Sequence, residues 1–428
     1  MREVFVQVVW EQRRYIPQQL RTTDGRSVVP IKPGTRNQGQ GPDFLQAELV
    51  IGDTRWAGHV EVHMNGADWY HHNHHSDAGY NSVIAHVVWI PTGKPVMRQD
   101  GTCIPEIVLA ECTDPYSIRG FNYLFESQFE LPCKEVISRV PAIHRMAAFE
   151  SYGTERLLNK SEGLVHLISR LSGDWEQAFW VMLAGVWAGP ANRTAFEQMA
   201  LALPLKVIRQ VPSLRAKESL LLGMCGLLEA NLNNTEAEVF QQEWRFWKHK
   251  WQLVSLPNGL LKFGGLRPAQ FPTLRLAQLA ALLHVSHRLD ILLDRTERLH
   301  EVLNGLRPSE FWLTHYTLEK SSKASDKALG KQFIDHLLIN AVAPIRWVYL
   351  NHVQRKSSSH ELTEFLNEVP PESNRITRLF VSSGVKPRTA LETQAMIHLY
   401  KLYCTERRCL ECQIGYFIIR SFKSLESC

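Results

Sequence analysis

The feature that most constrains this chain is a change of hydrophobic period near Asp114. Before it, apolar residues alternate or run in short β-branched stretches; after it they recur at three- and four-residue spacing. Phe44–Ile51 alternates towards a strand, Gly52-Asp53 supplies a turn, and residues 54–64 form a second strand, so the pair reads as a β-hairpin. Residues 81–90 are β-branched and apolar, the pattern of a strand covered on both faces. Upstream, residues 4–20 read as a helix ending before Thr23-Asp24-Gly25, and residues 28–31 as a short strand closed by Pro33-Gly34. The stretch 34–42 is all breaker and polar chemistry. The expected order is helix, strand, hairpin, strand, then short strands to about Leu109: an α+β fold with a mixed sheet and flanking helices.

Helical spacing then dominates, in residues 155–171, 174–187, 191–203, 216–230, 236–250, 274–283, 289–303, 331–349 and 389–403. The expected organisation is a head over 1–114, a helical domain over 115–370 and a C-terminal helical segment over 371–428. Hinges are expected at 321–325, 356–359 and 369–371, where Ser, Lys or Pro cluster.

Charge divides the same way. Residues 1–131 carry 11 Lys+Arg against 15 Asp+Glu, and the rest carry 37 against 28, so a net charge of +5 combines an acidic head with a basic body. Seven of the 18 histidines fall between His59 and His86. With 44% hydrophobic and 10% aromatic residues the composition excludes disorder and low-complexity scaffolds. Eight cysteines in 428 residues do not make a disulfide scaffold, and no apolar run reads as a signal peptide or a membrane span. The expectation is a cytoplasmic protein with reduced thiols and no membrane partner.

Within the head, Gly41-Pro42-Asp43-Phe44 precedes Gly58-His59-Val60-Glu61-Val62-His63. Period-two geometry puts His59, Glu61 and His63 on one face and turns Val60 and Val62 to the core. A hairpin sets that strand about 5 Å from the one Asp43 begins. Two carboxylates and an imidazole can then share a divalent cation; Mg²⁺ or Mn²⁺ suits the oxygens, and the imidazole makes Mn²⁺ or Zn²⁺ suitable too. Such a cation polarises a phosphoryl oxygen and acidifies a bound water. His86 interrupts an apolar strand and reads either as a further ligand or as a buried structural histidine. The run His71-His72-Asn73-His74-His75 reads more as a solvated loop than as ligands.

At these residues the head resembles the PD-(D/E)XK nuclease superfamily, with Pro42-Asp43 at one strand and Glu61 on the next. The resemblance implies that Asp43 and Glu61 bind metal, that Glu3 or Glu11 of the first helix assists, and that nucleic acid is the substrate. The sequence departs from the pattern at the lysine position, which is His63; a neutral histidine there accepts a proton or ligates metal. The departure also fits an alternative, a nuclease-fold protein that has lost catalysis and serves as a nucleic-acid-binding or assembly module.

In the body, Arg267 and Arg275 flank a helix start with Thr273 as N-cap, a place where phosphate binds, although a packed turn plugged by Phe271 suits the same residues better. Trp244, Phe246, Trp247 and Trp251 interleave with basic residues, which reads chiefly as a core stripe with a basic outer face. Cys404, Cys409 and Cys412 (C-x4-C-x2-C) suit Zn²⁺ with His398 or Cys428 as fourth ligand, or an iron–sulfur cluster. Unliganded thiols fit equally well. Over nearly its whole length the chain also resembles a bacterial family known only as a domain of unknown function. That resemblance rests on residues 37–44 and 58–63, Asp68-Trp69, His86-Val87-Val88, Arg267-Pro268, Phe271-Pro272 and Cys409-Leu410-Glu411-Cys412, and it brings no activity with it.

Overall fold

The computed structural model describes all residues except 1–2, 38, 231, 233, 287–288, 355–359 and 427–428. The expected hinge at 356–359 and Cys428 therefore lie outside the described residues. The chain forms two compact units: a head of residues 1–148, 382–385 and 399–428, and a body of residues 149–381 and 386–398. These divisions differ from those expected at 114 and 370. The head continues past residue 114 because the helix Pro115–Glu126 receives the C-terminal helix Gln413–Arg420 at Gly120, where a Cβ would stand 3.0 Å from the Cα of Ile419.

In the head, helix α1 (Glu3–Glu11) presents Phe5, Val6, Val9 and Trp10 to the core. It is shorter than expected, because Arg13 turns to φ 53° and Tyr15 bridges to Thr113. Strands β1 (Val28–Lys32), β2 (Thr35–Arg36), β3 (Phe44–Ile51), β4 (Thr54–Asn65) and β5 (Val83–Ile90) follow. Next come a small ribbon of β6 (Val96–Met97) and β7 (Cys103–Ile104), and the strand β8 (Glu106–Val108). Among the described residues six strands make one mixed sheet in the order β1-β3-β4-β5-β8, with β2 on β3. β3 and β4 form the expected hairpin; β4, β5 and β8 are parallel. The α+β expectation holds.

Two irregularities position the site. The β3–β4 register shifts between Phe44 and Ala47, with Gln46 at φ 57°, a bulge of the kind that re-aims a side chain at the end of a strand. Parallel pairing of β4 with β5 also demands a crossover, made here by residues 66–82 with the short helix α2 (Asp68–His71). That crossover carries the histidine run. It leaves the sheet at Gly66, where a Cβ would meet Thr92 Oγ1 at 2.2 Å and Glu106 Oε2 at 2.6 Å, so no side chain fits there.

The body is helical. Asp174 caps the helix Trp175–Ala188 by accepting from the Gln177 N–H at 2.9 Å, and Gly189 at φ 73° ends it. Every residue from Ala178 to Ala188 is buried, so this apolar stretch is a core helix. Trp180, Trp187, Trp244 and Trp312 fill the same core. Trp244 and Trp247 are buried while Phe246 stays exposed, the core stripe expected of that helix. Among the described residues no helix is long and apolar enough to cross a membrane.

Candidate metal centre

Asp43 and Glu61 interlock across the hairpin. The Asp43 N–H donates to Glu61 Oε2 at 3.0 Å, and the Val62 N–H donates to Asp43 Oδ2 at 3.1 Å. Each carboxylate is thereby fixed by the other's strand. Glu61 then turns Oε1 towards two rings, 3.6 Å from His63 Nε2 and 3.3 Å from His74 Nε2. His63 Nε2 is also 3.1 Å from His72 Nδ1. The nitrogens of His63, His72 and His74 all lie within 4.8 Å of one another. Asp43, Glu61 and His63, proposed from spacing, thus sit in one corner.

That corner is drier than the strand pattern suggested. Val60 and Val62 are buried as expected, but Glu61 and His63 are buried too, at 5% and 2% exposure. The crossover covers this face, anchored by Trp69 at 0% exposure. His74 stacks on Tyr80 with ring centroids 3.9 Å apart and is itself buried. His71 and His72 remain exposed, so the histidine run is partly the solvated loop expected of it. His59 departs from the group: its Nδ1 accepts from the Gln46 N–H at 3.2 Å, because the bulge draws it back to β3.

His86 proves to be an outer partner. Its Nε2 is 2.9 Å from His63 Nδ1, and its Nδ1 is 3.4 Å from Glu106 Oε2. Its Nε2 faces His63, while its Nδ1 is buried beside Glu106 without a hydrogen bond. A proton on His86 Nδ1, on the side of the Glu106 carboxylate, would leave His86 Nε2 to accept from His63 Nδ1–H and turn the His63 Nε2 lone pair towards Glu61, His72 and His74. Glu106 is held in turn by the Thr92 N–H at 2.9 Å and by the Thr92 hydroxyl.

Electrostatics follow from burial and crowding. Burial, then the Glu61 charge, pushes the Asp43 carboxyl up to about 6 against the opposing pull of Gln7, the Val62 N–H and Arg36. Glu3, at the start of α1, rises to about 7 through burial and the charges of Asp43, Glu61 and Asp68. Glu11 is eight residues further on, about 12 Å along the same helix. Burial pushes His63 down to about 2, helped by His86, His74 and His72, so its imidazole is neutral and free to ligate. Glu106 differs: burial raises it, but His86 and Thr92 outweigh that and hold it below the usual carboxylate range.

These residues fit a divalent cation. His74 Nε2 is buried without a hydrogen bond, and Glu61 is the carboxylate nearest to it. A donor set of three imidazoles and a carboxylate is richer in nitrogen than the sequence suggested, which favours Mn²⁺ or Zn²⁺ over Mg²⁺. Sequence spacing missed His72, His74 and Glu106; the available signal was Trp69 and Tyr80 bracketing the histidine run, since buried aromatics pin a crossover to the sheet.

The body's proposed phosphate contacts fare differently. Arg267 is exposed. Arg275 is buried at 8% exposure, donates to Gln278 Oε1 at 3.0 Å and lies over the Phe333 ring at 3.5 Å. Its helix begins at Pro272, and Thr273 is buried with its hydroxyl donating to the Tyr316 carbonyl instead of capping. The turn is a packed one, and Arg275 is spent on the core.

Fold and site together define an α+β head bearing a histidine–carboxylate cluster, joined in one chain to a helical body. The chain belongs to the family described as protein of unknown function (DUF2851), whose model matches residues 3–375. No curated protein and no solved structure matches it.

Proposed function

We propose that the head is a divalent-metal-dependent phosphodiesterase of nuclease type, acting on nucleic acid that the basic body helps to bind. The observation that carries this reading is the meeting of Glu61 with His63 and His74 in one buried corner beside Asp43, with the exposed His72 against His63 at its rim. Support also comes from the strand order, in which an antiparallel hairpin passes to a parallel strand through a crossover, as the nuclease resemblance implies. Glu61, His63, His72 and His74 would hold the cation. When bound, such a cation polarises a phosphoryl oxygen and lowers the pKa of a coordinated water. His63 would keep its Nε2 lone pair inward with its Nδ1 proton directed at His86 Nε2. Asp43 and Glu3, with pKa values of about 6 and 7, hold or release a proton near neutral pH and so suit general acid–base work. The buried placing of His86 between His63 and Glu106 favours an active site over a decayed one.

The test is cleavage of single- and double-stranded DNA and RNA with Mn²⁺, Zn²⁺ or Mg²⁺, using wild type, Asp43→Ala and Glu61→Gln. Metal-dependent turnover that both substitutions abolish is expected. Equal, metal-independent behaviour of all three proteins would sink the catalytic reading. Nucleic-acid binding that survives chelator and Asp43→Ala without turnover would point to the non-catalytic binding module. Binding itself should weaken steeply between roughly 50 and 200 mM salt if the basic body contacts the phosphate backbone.

A further inference from the structure

Cys133 stands 271 positions before Cys404, yet both belong to the head. Two hydrogen bonds tie the segment before Cys133 to the C-terminal one: Tyr400 Oη donates to Glu130 Oε2 at 2.9 Å, and Arg407 Nη2 donates to the Phe129 carbonyl at 3.1 Å. Cys133 heads a tight turn, its carbonyl accepting from the Val136 and Ile137 N–H groups at 3.1 and 2.8 Å. Cys404 ends a π-helical turn, Arg407 takes φ 54° to reverse the chain, and Cys412 occupies the N-cap of Gln413–Arg420. That helix lies hard against Cys409: a Cβ on Gly415 would be 2.2 Å from the Cys409 carbonyl oxygen. All four cysteines are buried, at 7–9% exposure, and none is in a disulfide.

Burial pushes the Cys133, Cys404 and Cys409 thiols up, and neighbouring cysteines push them the same way. Thiolates in such a place would be costly through burial and mutual repulsion, and a soft cation offsets both. We propose that Cys133, Cys404, Cys409 and Cys412 form a tetrathiolate metal site in the head, holding a zinc ion or an iron–sulfur cluster. Cys133 takes the place that sequence spacing offered to His398. His398 is instead 3.3 Å from the Glu155 carboxylate, within the body.

Both occupants bind through four deprotonated thiols, so loading releases thiol protons to solvent. Zinc with bonds of about 2.3 Å draws its sulfurs to roughly 3.8 Å of one another, whereas a multi-iron core holds them wider. The site does not depend on the phosphodiesterase reading.

The test is metal and acid-labile sulfide analysis of the full chain purified with and without oxygen, beside Cys133→Ser, Cys409→Ser and Cys225→Ser. About one zinc per chain, or iron with matching sulfide and visible absorption, supports the site and decides its occupant. Cys133→Ser and Cys409→Ser should each lose at least tenfold in bound metal, while Cys225→Ser, a buried cysteine of the body, keeps it. A His63→Ala/His74→Ala protein should also keep it, which separates this metal from one held in the head's histidine corner. If the cysteine variants fail to fold, wild type still decides: alkylation mapped by mass spectrometry should spare these four thiols in loaded protein and label them after chelation. Wild type that carries no metal from either preparation and takes up none when reduced and titrated with Zn²⁺, or metal retained in folded Cys133→Ser, overturns the proposal.

Discussion

Head and body both bury charge, but they satisfy it in opposite ways. In the body Glu218, Lys217 and Arg275 each meet a neutral partner. Glu218 accepts from the Ser309 N–H at 2.8 Å and from its hydroxyl, Lys217 donates to the Val211 carbonyl, and Arg275 meets Gln278 and Phe333. In the head like also faces like: although Glu61 lies beside His63 and His74, Glu3, Asp43 and Glu61 crowd one another, and His63 is surrounded by three further imidazoles. The first arrangement is complete within the fold and stabilises it. The second raises the energy of the fold by itself and would be relieved by the proposed cation.

The widest expected gap between the two regions is in metal affinity. Glu61→Gln and His74→Ala each remove a proposed ligand, so calorimetric titration with Mn²⁺ or Zn²⁺ should register a loss greater than the roughly 10- to 100-fold typical of an outer partner. Glu106→Gln sharpens the comparison, because it touches no proposed ligand except through His86. It should cost about 10- to 100-fold in affinity with little change in melting temperature. An unchanged affinity would mean that the tautomer chain does not orient His63.

Substitutions in the body should move stability and leave metal affinity alone. Glu218→Ala strands the Ser309 donors and is expected to lower unfolding free energy by about 1–3 kcal/mol in urea denaturation. A matching drop in metal affinity would break the contrast.

The smallest effect concerns pH. Asp43 has its pKa raised from 3.8 to about 6, so in the metal-free protein its favourable contribution is complete below pH 3.8 and is lost as pH rises through about 6. Asp43→Asn removes that penalty. Metal-free Asp43→Asn should therefore be more stable than wild type at pH 7.5, by about 1–2 kcal/mol, with the difference shrinking towards pH 4. Thermal melts across that range check the sign.

Much of the head was legible in its sequence because strand geometry is local. Period two placed Glu61 and His63 on one face, and Gly52-Asp53 announced the hairpin that brings Asp43 beside them. The helical windows of the body were legible for the same reason, and Ala178–Ala188 showed its burial by lacking any polar face. Arg275 was not legible, since a basic residue in the first turn of a helix looks the same whether that turn faces solvent or Phe333. Cys133 carries no spacing signal at all, lying far from the three cysteines it joins.

The sequence by itself determined the α+β character, the hairpin and the pairing of Asp43 with Glu61, because these follow from backbone periods and turns only a few residues long. Tertiary structure alone decided that the crossover would lay His72 and His74 on His63. It alone set Glu106 behind His86 and brought Cys133 to the C-terminal cysteines. Those meetings depend on parallel pairing and on which faces bury one another, contacts whose entropy of closure is met by the packing of the whole unit and by no local pattern.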